Sequence, residues 1–212
     1  MCKKKKQGRI LILSGPSGSG KGTIVKELLR RRPERTMLSV SATTRAPREE
    51  DIEGVTYYFL TREEFDALVS SGGMLEHAEY CGNCYGTPRA PVEEATKKGI
   101  DVILEIEVQG AAHVKEVCPE AHTVFVMPPS GEVLKKRLEG RGSETPESLR
   151  KRLSAAVGEM DRAAGYDYIL INDDLSAAVD ELEKVIDKGL KNVDDKLQFI
   201  KGVQNDVKTL CQ

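Results

Sequence analysis

The sequence predicts an α/β fold in which a parallel sheet is covered by helices on both faces. Short apolar segments of strand length alternate with segments of helical pattern along most of the chain, which is typical of parallel sheets buried on both sides. A glycine-rich loop follows the first of these strands and opens the first helix. Residues 41–93 break the alternation and predict a small mixed insert, and residues 131–157 predict a helical lid.

Length and composition limit the function classes. The 212 residues suit one domain with a small insert. Lys and Arg number 32 and Asp and Glu 34, so the net charge of −2 argues against general nucleic-acid binding. No apolar run is long enough for a membrane span or a secretory signal, so no membrane contact is expected. The odd count of five cysteines then favours a cytoplasmic protein. A monomer or a homodimer is expected.

The first elements are a strand, a loop and a helix. Arg9–Ser14 is a short apolar run next to glycines, which predicts a buried strand. Gly22–Arg32 is rich in Leu, Lys and Arg and is followed by Pro33, as expected of a helix and its end. Met37–Val40 predicts a second short strand.

The insert has weaker signals. It holds four of the six tyrosines, several prolines and glycines, and no long helical period. Thr61 and Glu64 form a capping-box pattern that opens a short helix through Val69. Short strands are expected at Leu75–Tyr80 and around Tyr85.

The second half of the chain returns to alternation. Strands are predicted at Asp101–Glu107, His122–Met127 and Tyr168–Ile171. Helices are predicted at Pro91–Lys98, from Ser130 to Glu139, from Thr145 to Met160, and from Ser176 to the end of the chain. The predicted core therefore consists of residues 1–40, 94–130 and 158–212.

The glycine-rich loop matches the phosphate-binding pattern G-x-x-x-x-G-K. Its residues are Gly15, Pro16, Ser17, Gly18, Ser19, Gly20 and Lys21. Glycines let backbone N–H groups converge on a phosphate, and the following helix N-terminus adds partial positive charge. Lys21 adds a full charge directed at the β- and γ-phosphates. Because the loop joins a strand to a helix, it predicts a P-loop kinase-type core that binds a nucleoside triphosphate.

One position departs from this pattern. Gly22 stands where the motif has Ser or Thr, and Thr23 comes one residue later. The sequence therefore predicts Mg²⁺ held largely by phosphate oxygens and water, with Thr23 nearby. Glu105, near the end of a predicted strand, is a candidate for the outer shell of the metal, and a plain strand-end carboxylate is an equal alternative.

The insert predicts a second phosphate site. Arg45 and Arg48 lie three residues apart in an irregular stretch, and Tyr57 and Tyr85 offer hydroxyl groups. Planar guanidinium groups suit a phosphate dianion, and tyrosine hydroxyls complete its shell. Ordinary arginines on a surface loop remain an alternative.

Acidic residues indicate which base the site binds. Glu76 and Glu107 lie near the ends of strand-like segments, and Thr87 can donate a hydrogen bond. Guanine presents N1–H and a 2-amino group on one edge, and a carboxylate accepts both. Adenine lacks these donors and would leave a carboxylate unpaired, so such a site discriminates strongly between the two purines.

Together these segments resemble the guanylate kinase family from about Arg9 to Ile186. The matching segments are GPSGSGKGT, SVSATTRAPREEDIEGVTYYF, GNCYGTP, LEIEVQGA, PPSGEVLKKRLEGRG and YDYILIND. The resemblance implies reversible phosphoryl transfer from MgATP to GMP, and also to dGMP, giving ADP and GDP. ATP and GMP are then the substrates and Mg²⁺ the metal that accompanies ATP.

The resemblance also implies residue roles. The ATP site would comprise Gly15, Pro16, Ser17, Gly18, Ser19, Gly20, Lys21, Gly22, Thr23 and Asn172. The GMP phosphate would be held by Ser41, Arg45, Arg48, Tyr57 and Tyr85, and guanine by Glu76, Thr87 and Glu107. Many family members carry Asp where this chain has Glu107, which places the carboxylate one methylene further out.

Three arginines belong to the predicted lid. Arg137 and Arg141 are four residues apart, and Arg152 follows on the next helix. By the resemblance they close over ATP and, with Lys21 and Arg45, form the catalytic set that meets charge on the moving phosphoryl group. The alternative, which charge periodicity alone favours, is that these three residues are ordinary solvated arginines without a role in catalysis.

Two other functions remain open at this level. One is a kinase of another phosphorylated small molecule, which should lack the paired carboxylates. The other is a phosphopeptide-binding module without catalysis, which would be expected to lose Lys21 and the lid arginines.

Overall fold

A computed structural model of the chain describes residues 7–140 and 145–211. Its strands are β1 (Ile10–Ser14), β2 (Thr36–Leu38), β3 (Ser41–Thr43), β4 (Tyr57–Phe59), β5 (Met74–Tyr80), β6 (Asn83–Pro88), β7 (Asp101–Glu105), β8 (His122–Met127) and β9 (Tyr168–Ile171). Its helices are α1 (Lys21–Arg31), α2 (Arg62–Ser70), α3 (Arg89–Lys97), α4 (Val108–Val117), α5 (Gly131–Glu139), α6 (Pro146–Met160), α7 (Leu175–Lys188) and α8 (Val193–Leu210).

The predicted parallel sheet is confirmed. Five strands follow the order β2-β7-β1-β8-β9, and the pairs β2–β7 and β8–β9 are parallel. The strands are apolar along most of their length because both faces are covered; Leu11, Ile12 and Leu13, for example, are buried. The chain divides by its internal contacts into two compact units, with described residues 7–11 and 33–121 in one and 12–32, 122–140 and 145–211 in the other.

The first unit contains the predicted mixed sheet. Its four strands follow the order β4-β3-β6-β5, with β3–β4 parallel and the other two pairs antiparallel. One side of this sheet packs on a small core of Ala42, Phe65, Met74 and Cys84. Because side chains alternate along a strand, the neighbouring residues project from the opposite side.

Helix starts follow the predicted capping residues. Thr61 and Thr145 each accept a hydrogen bond from the third helical N–H and form capping boxes, and Ser130 caps α5 by accepting from Val133 N. These caps satisfy backbone donors that a helix start leaves open.

Two boundary predictions are wrong. The strand predicted at 101–107 ends at Glu105, because extended Glu107 becomes the N-cap of α4 and its carbonyl accepts from Ala111 N. The helix predicted from Ser176 to the end is two helices, because Gly189 adopts a left-handed conformation that terminates α7.

The last helix, α8, completes the second unit. Its buried residues Ile200, Val203 and Val207 pack toward α5 and α6, and Gln204 donates to Val157 O at 3.1 Å. Within the described residues, none of the helices has the length and apolar character needed to span a bilayer. The boundaries proposed for core, insert and lid remain predictions.

Candidate nucleotide-binding and phosphoryl-transfer site

The phosphate loop joins β1 to α1 through glycines in conformations that favour this residue. Gly18 and Gly20 have φ angles of 87° and 91°, which side-chain-bearing residues adopt with strain. A Cβ on Gly20 would also overlap the side-chain amide of Asn172. The N-cap residue of α1 is Gly20, which has no side chain to cap the first amides, and such amides at a helix start suit an anion.

The loop has polar atoms suited to a phosphate. The Ser19 hydroxyl is buried and, in the part of the chain that the structure describes, has no hydrogen-bond partner. The Lys21 ammonium donates to the carbonyl of Gly15 and, at 3.2 Å, to that of Pro16. The lysine therefore lies against the loop, within reach of an anion bound there.

Arg137 and Asn172 hold the loop in place. The Asn172 amide donates to Ser19 O at 2.8 Å, and the Arg137 guanidinium donates to Ser19 O at 3.3 Å and to Asn172 O at 2.9 Å. Asn172 is 6% exposed. These bonds give both residues a loop-supporting role that the sequence did not suggest.

A cavity of 330 Å³ opens beside the loop. Its lining is formed by Gly18, Gly20, Thr23, Arg137, Asn172, Asp173 and Leu175. Five of these seven residues belong to the predicted ATP site or lid, whereas Asp173 and Leu175 were not anticipated. Asp173 directly follows Asn172 at the end of β9, where a carboxylate at a strand's C-terminal end is a signal for a ligand site.

The metal candidates supply hard oxygen donors. Thr23 is exposed in the first turn of α1 and lines the cavity with Asp173. Glu105 is exposed at the end of β7. Residues 7–140 and 145–211 contain no group of three or more His, Cys, Asp or Glu side chains that could hold a metal ion. The Thr23 hydroxyl and the Asp173 carboxylate beside the phosphate loop fit a Mg²⁺ ion that phosphate and water coordinate for the most part.

Strand register brings the predicted insert residues to one face of the mixed sheet. Ser41 pairs with Tyr57, and Thr43 pairs with Tyr85. Glu76 pairs with Thr87, which lies two residues beyond Tyr85 on β6. Paired residues share a face, as do residues two apart. The predicted phosphate and guanine residues of the four strands therefore lie on the face opposite the small core. The residues of this face are Ser41, Tyr57, Glu76, Tyr85 and Thr87.

Arg45 lies in an aromatic and acidic environment on the same unit. Its guanidinium is 5.4 Å from the ring centroid of Tyr57 and 5.8 Å from that of Phe59, and it donates to Asp51 Oδ2 at 2.8 Å. Asp51 also accepts from Arg48 N at 2.8 Å. The Arg48 N–H and the Arg45 guanidinium lower the pKa of Asp51. The Asp51 carboxylate thus fixes the direction of Arg45.

Asp51 is a residue that the sequence reasoning missed. It belongs to an acidic run, residues 49–53, that resembles a solvated loop. In the structure the Asp51 side chain is only 8% exposed, and Glu53 accepts a hydrogen bond from Phe59 N. The spacing of six residues from Arg45 gave no helical or strand signal, so only the folded loop brings the two together.

Glu76 and Thr87 form the other polar group on this face. The Thr87 hydroxyl donates to Glu76 Oε1 at 2.7 Å and is itself 1% exposed. Burial raises the pKa of Glu76, while the Thr87 hydroxyl and the nearby His77 and His113 oppose that rise. In this arrangement Thr87 supports the carboxylate, whereas the sequence predicted that it would donate to a base.

The remaining predicted residues differ in exposure. Arg48 and Glu107 are exposed, and Arg152 is half-buried on α6. Glu107 is at the start of α4. Arg141, together with residues 142–144, lies outside the described residues.

Comparison with known proteins identifies the family of this chain. The family model "Guanylate kinase" matches residues 7–189. The guanylate kinase of Synechococcus sp. (strain CC9311) is 52% identical over 83% of this chain and 92% of its own, and that of Clostridioides difficile (strain 630) is 49% identical over 85% and 88%.

A solved structure agrees with these relatives. The crystal structure of guanylate kinase from Anaplasma phagocytophilum matches with a TM-score of 0.67 and 36% identity, covering 87% of each chain. The β1–α1 phosphate loop and the polar face of the mixed sheet are thus set in a fold and sequence shared with these enzymes, and the chain belongs to the guanylate kinase family.

Proposed function

We propose that this chain is an ATP:GMP phosphotransferase that converts ATP and GMP, or dGMP, to ADP and GDP or dGDP. Family membership supports the reaction. The observation that carries the choice of acceptor is the half-buried Glu76 carboxylate, which accepts a hydrogen bond from Thr87. A carboxylate held in this way accepts the N1–H and 2-amino donors of guanine, which adenine lacks.

The reaction needs positioning and charge neutralisation more than covalent chemistry. A phosphate oxygen of GMP attacks the γ-phosphorus of ATP in line; a new P–O bond forms, and the bond to the β–γ bridging oxygen breaks, so that ADP leaves. The loop amides and Lys21 would hold the ATP phosphates, and Arg45, Tyr57 and Tyr85 the GMP phosphate. Mg²⁺ bound with ATP would neutralise charge on the β- and γ-phosphates, with Thr23 and Glu105 as its protein-side candidates.

We propose the lid role for Arg137, Arg141 and Arg152 on residues 131–157. Arg137 already lines the cavity beside the loop and holds Ser19 and Asn172. Closing such a lid would exclude water that otherwise hydrolyses ATP. The core and the GMP-binding insert, residues 41–93, would then supply the two nucleotide sites.

A cytoplasmic location and a monomeric or homodimeric state complete the proposal. The cysteines of the described residues, Cys81, Cys84, Cys118 and Cys211, are all free thiols, as expected in a reducing compartment. Size-exclusion chromatography with light scattering measures the oligomeric state directly.

The decisive experiment is a phosphorylation screen of all common nucleoside monophosphates with MgATP. We expect GMP and dGMP to be phosphorylated and AMP, CMP and UMP to react at least about 10³-fold more slowly in kcat/KM. Equal rates with AMP would refute the proposed acceptor. Binding of a phosphopeptide in preference to GMP, without turnover, would indicate a non-catalytic module instead.

The raised pKa of Glu76 predicts a pH dependence. As pH falls through this raised pKa, the carboxyl gains a proton and no longer accepts both guanine donors, so KM for GMP should rise at a higher pH than for an ordinary glutamate. The measurement is KM for GMP between pH 5 and pH 8, compared with Glu76→Gln, which removes this titration but keeps that of the GMP phosphate.

Stability provides the control for this experiment. The folded protein holds the Glu76 proton more tightly than the unfolded chain, so acidification through this window raises the free energy of unfolding at this site. A rise in KM without loss of thermal stability therefore assigns the effect to recognition. Identical pH profiles for wild type and Glu76→Gln would contradict the prediction.

Asp51→Ala should weaken GMP binding. The change removes the acceptor for the Arg45 guanidinium and for Arg48 N, so the phosphate-binding side chains lose their fixed direction. We expect KM for GMP to rise about tenfold with KM for ATP unchanged. Glu49→Ala, an exposed position in the same loop, is the matched control. An unchanged KM for GMP would show that the aromatic rings and the Ala46 carbonyl position Arg45 without Asp51.

A further inference from the structure

We propose that Gly110 is a positioning residue for guanine recognition, because its missing side chain leaves the space that the Glu76 carboxylate occupies. Gly110 lies in α4, which packs against β5. A Cβ at this position would lie 2.9 Å from Glu76 Oε2, 3.3 Å from its Cδ and 3.4 Å from its Cγ. The three nearest atoms thus all belong to one side chain. This inference rests on the proposed function.

The contact identifies what would move. A carbon 2.9 Å from a carboxylate oxygen is too close, and that oxygen is the free end of a flexible side chain. The Glu76 backbone is held in β5 by pairing with Thr87. A methyl group at position 110 would therefore displace the carboxylate rather than the strand, break the 2.7 Å bond from Thr87, and move both acceptors away from the guanine edge.

Neither backbone conformation nor helix preference accounts for this glycine. Gly110 is not among the described glycines with positive φ, so alanine adopts its conformation without strain. Inside a helix, glycine is less favourable than alanine because it loses more backbone entropy. Among the described residues, nothing lies within 4 Å of the position that a methyl group at Gly202, in α8, would occupy, so Gly202 is an example of a helical glycine without this packing constraint. Room for Glu76 is the remaining requirement at position 110.

The test is Gly110→Ala, with Gly202→Ala as the matched control. We expect KM for GMP to rise at least about tenfold in Gly110→Ala, as for the loss of a hydrogen bond to a charged group. KM for ATP should stay within about twofold, and the unfolding temperature should equal or exceed that of the wild type, because alanine favours the helix. Gly202→Ala should leave both KM values unchanged. A merely structural role would instead lower the unfolding temperature and leave the KM values alone.

A double-mutant cycle with Glu76→Ala completes the test. That change removes the atoms a methyl group at position 110 would meet, so Gly110→Ala should cause no further fall in kcat/KM for GMP in that background. An unchanged KM in the single variant, a loss of stability, or an equal fall in both backgrounds would overturn the proposal. The wild type is assayed first: failure to phosphorylate GMP would refute the proposed function, whereas failure of the cycle alone would refute only the role of Gly110.

Discussion

Lys21→Ala should lower kcat for GMP phosphorylation by at least about 10³-fold. In this type of reaction, catalysis depends mainly on neutralising the negative charge of the transferred phosphoryl group, and Lys21 supplies positive charge for that purpose. Lys21 is at the start of α1, where its ammonium contacts the carbonyls of Gly15 and Pro16. Removing the Lys21 side chain leaves the loop amides in place but takes away the full positive charge that this side chain supplies beside them. A coupled assay that follows ADP formation measures the loss.

Lys26→Ala is the matched control for this change. Lys26 is exposed on the same helix, five residues after Lys21. Its replacement by alanine removes an identical side chain from a position outside the phosphate loop. We expect it to retain wild-type kcat, and we expect both variants to unfold at similar temperatures. Wild-type turnover by Lys21→Ala would refute the assignment of the phosphate loop.

Glu76→Gln should reduce the preference for GMP over AMP by about 10²-fold or more. The amide keeps one acceptor, which Thr87 can still support, but it presents an N–H₂ group where guanine also presents donors. The loss should therefore fall on kcat/KM for GMP, with little change in KM for ATP. Steady-state assays with both monophosphates measure the ratio.

Glu79→Gln controls for charge on the same strand. Glu79 is exposed on β5, three residues from Glu76, and therefore projects from the other face. Its replacement should not alter the ratio. If Glu76→Gln and Glu79→Gln discriminate equally well between GMP and AMP, base selection does not depend on the Glu76 carboxylate.

The sequence alone was sufficient to predict those structural features that depend on short segments of the chain. The β1–loop–α1 unit and the caps at Thr61, Ser130 and Thr145 each depend on residues within a few positions of one another, and the structure contains all of them. Gly189 was also a visible signal for a helix end, but the helical pattern on either side of it favoured one long helix.

Contacts between distant residues were beyond local reasoning. The bonds from Arg137 to Ser19 and Asn172 join positions separated by 118 and 35 residues, and the Glu76–Thr87 bond needs the register of β5 on β6. Helix α4 was missed because its N-cap residue, Glu107, makes no side-chain capping bond and its buried residues, Ala111 and Val114, form too short an apolar pattern. The role of Gly110 follows only once that helix is placed.

The alternation along β6 has a consequence for how this enzyme changes during evolution. Cys84 faces the small core while Tyr85 and Thr87 face the side that we propose binds GMP, so core packing and proposed recognition share one six-residue strand. Inserting or deleting a single residue within the strand would exchange the two sets and lose both at once. Substitutions can therefore tune acceptor choice gradually here, whereas length variation should be confined to the turn at Cys81 and Gly82.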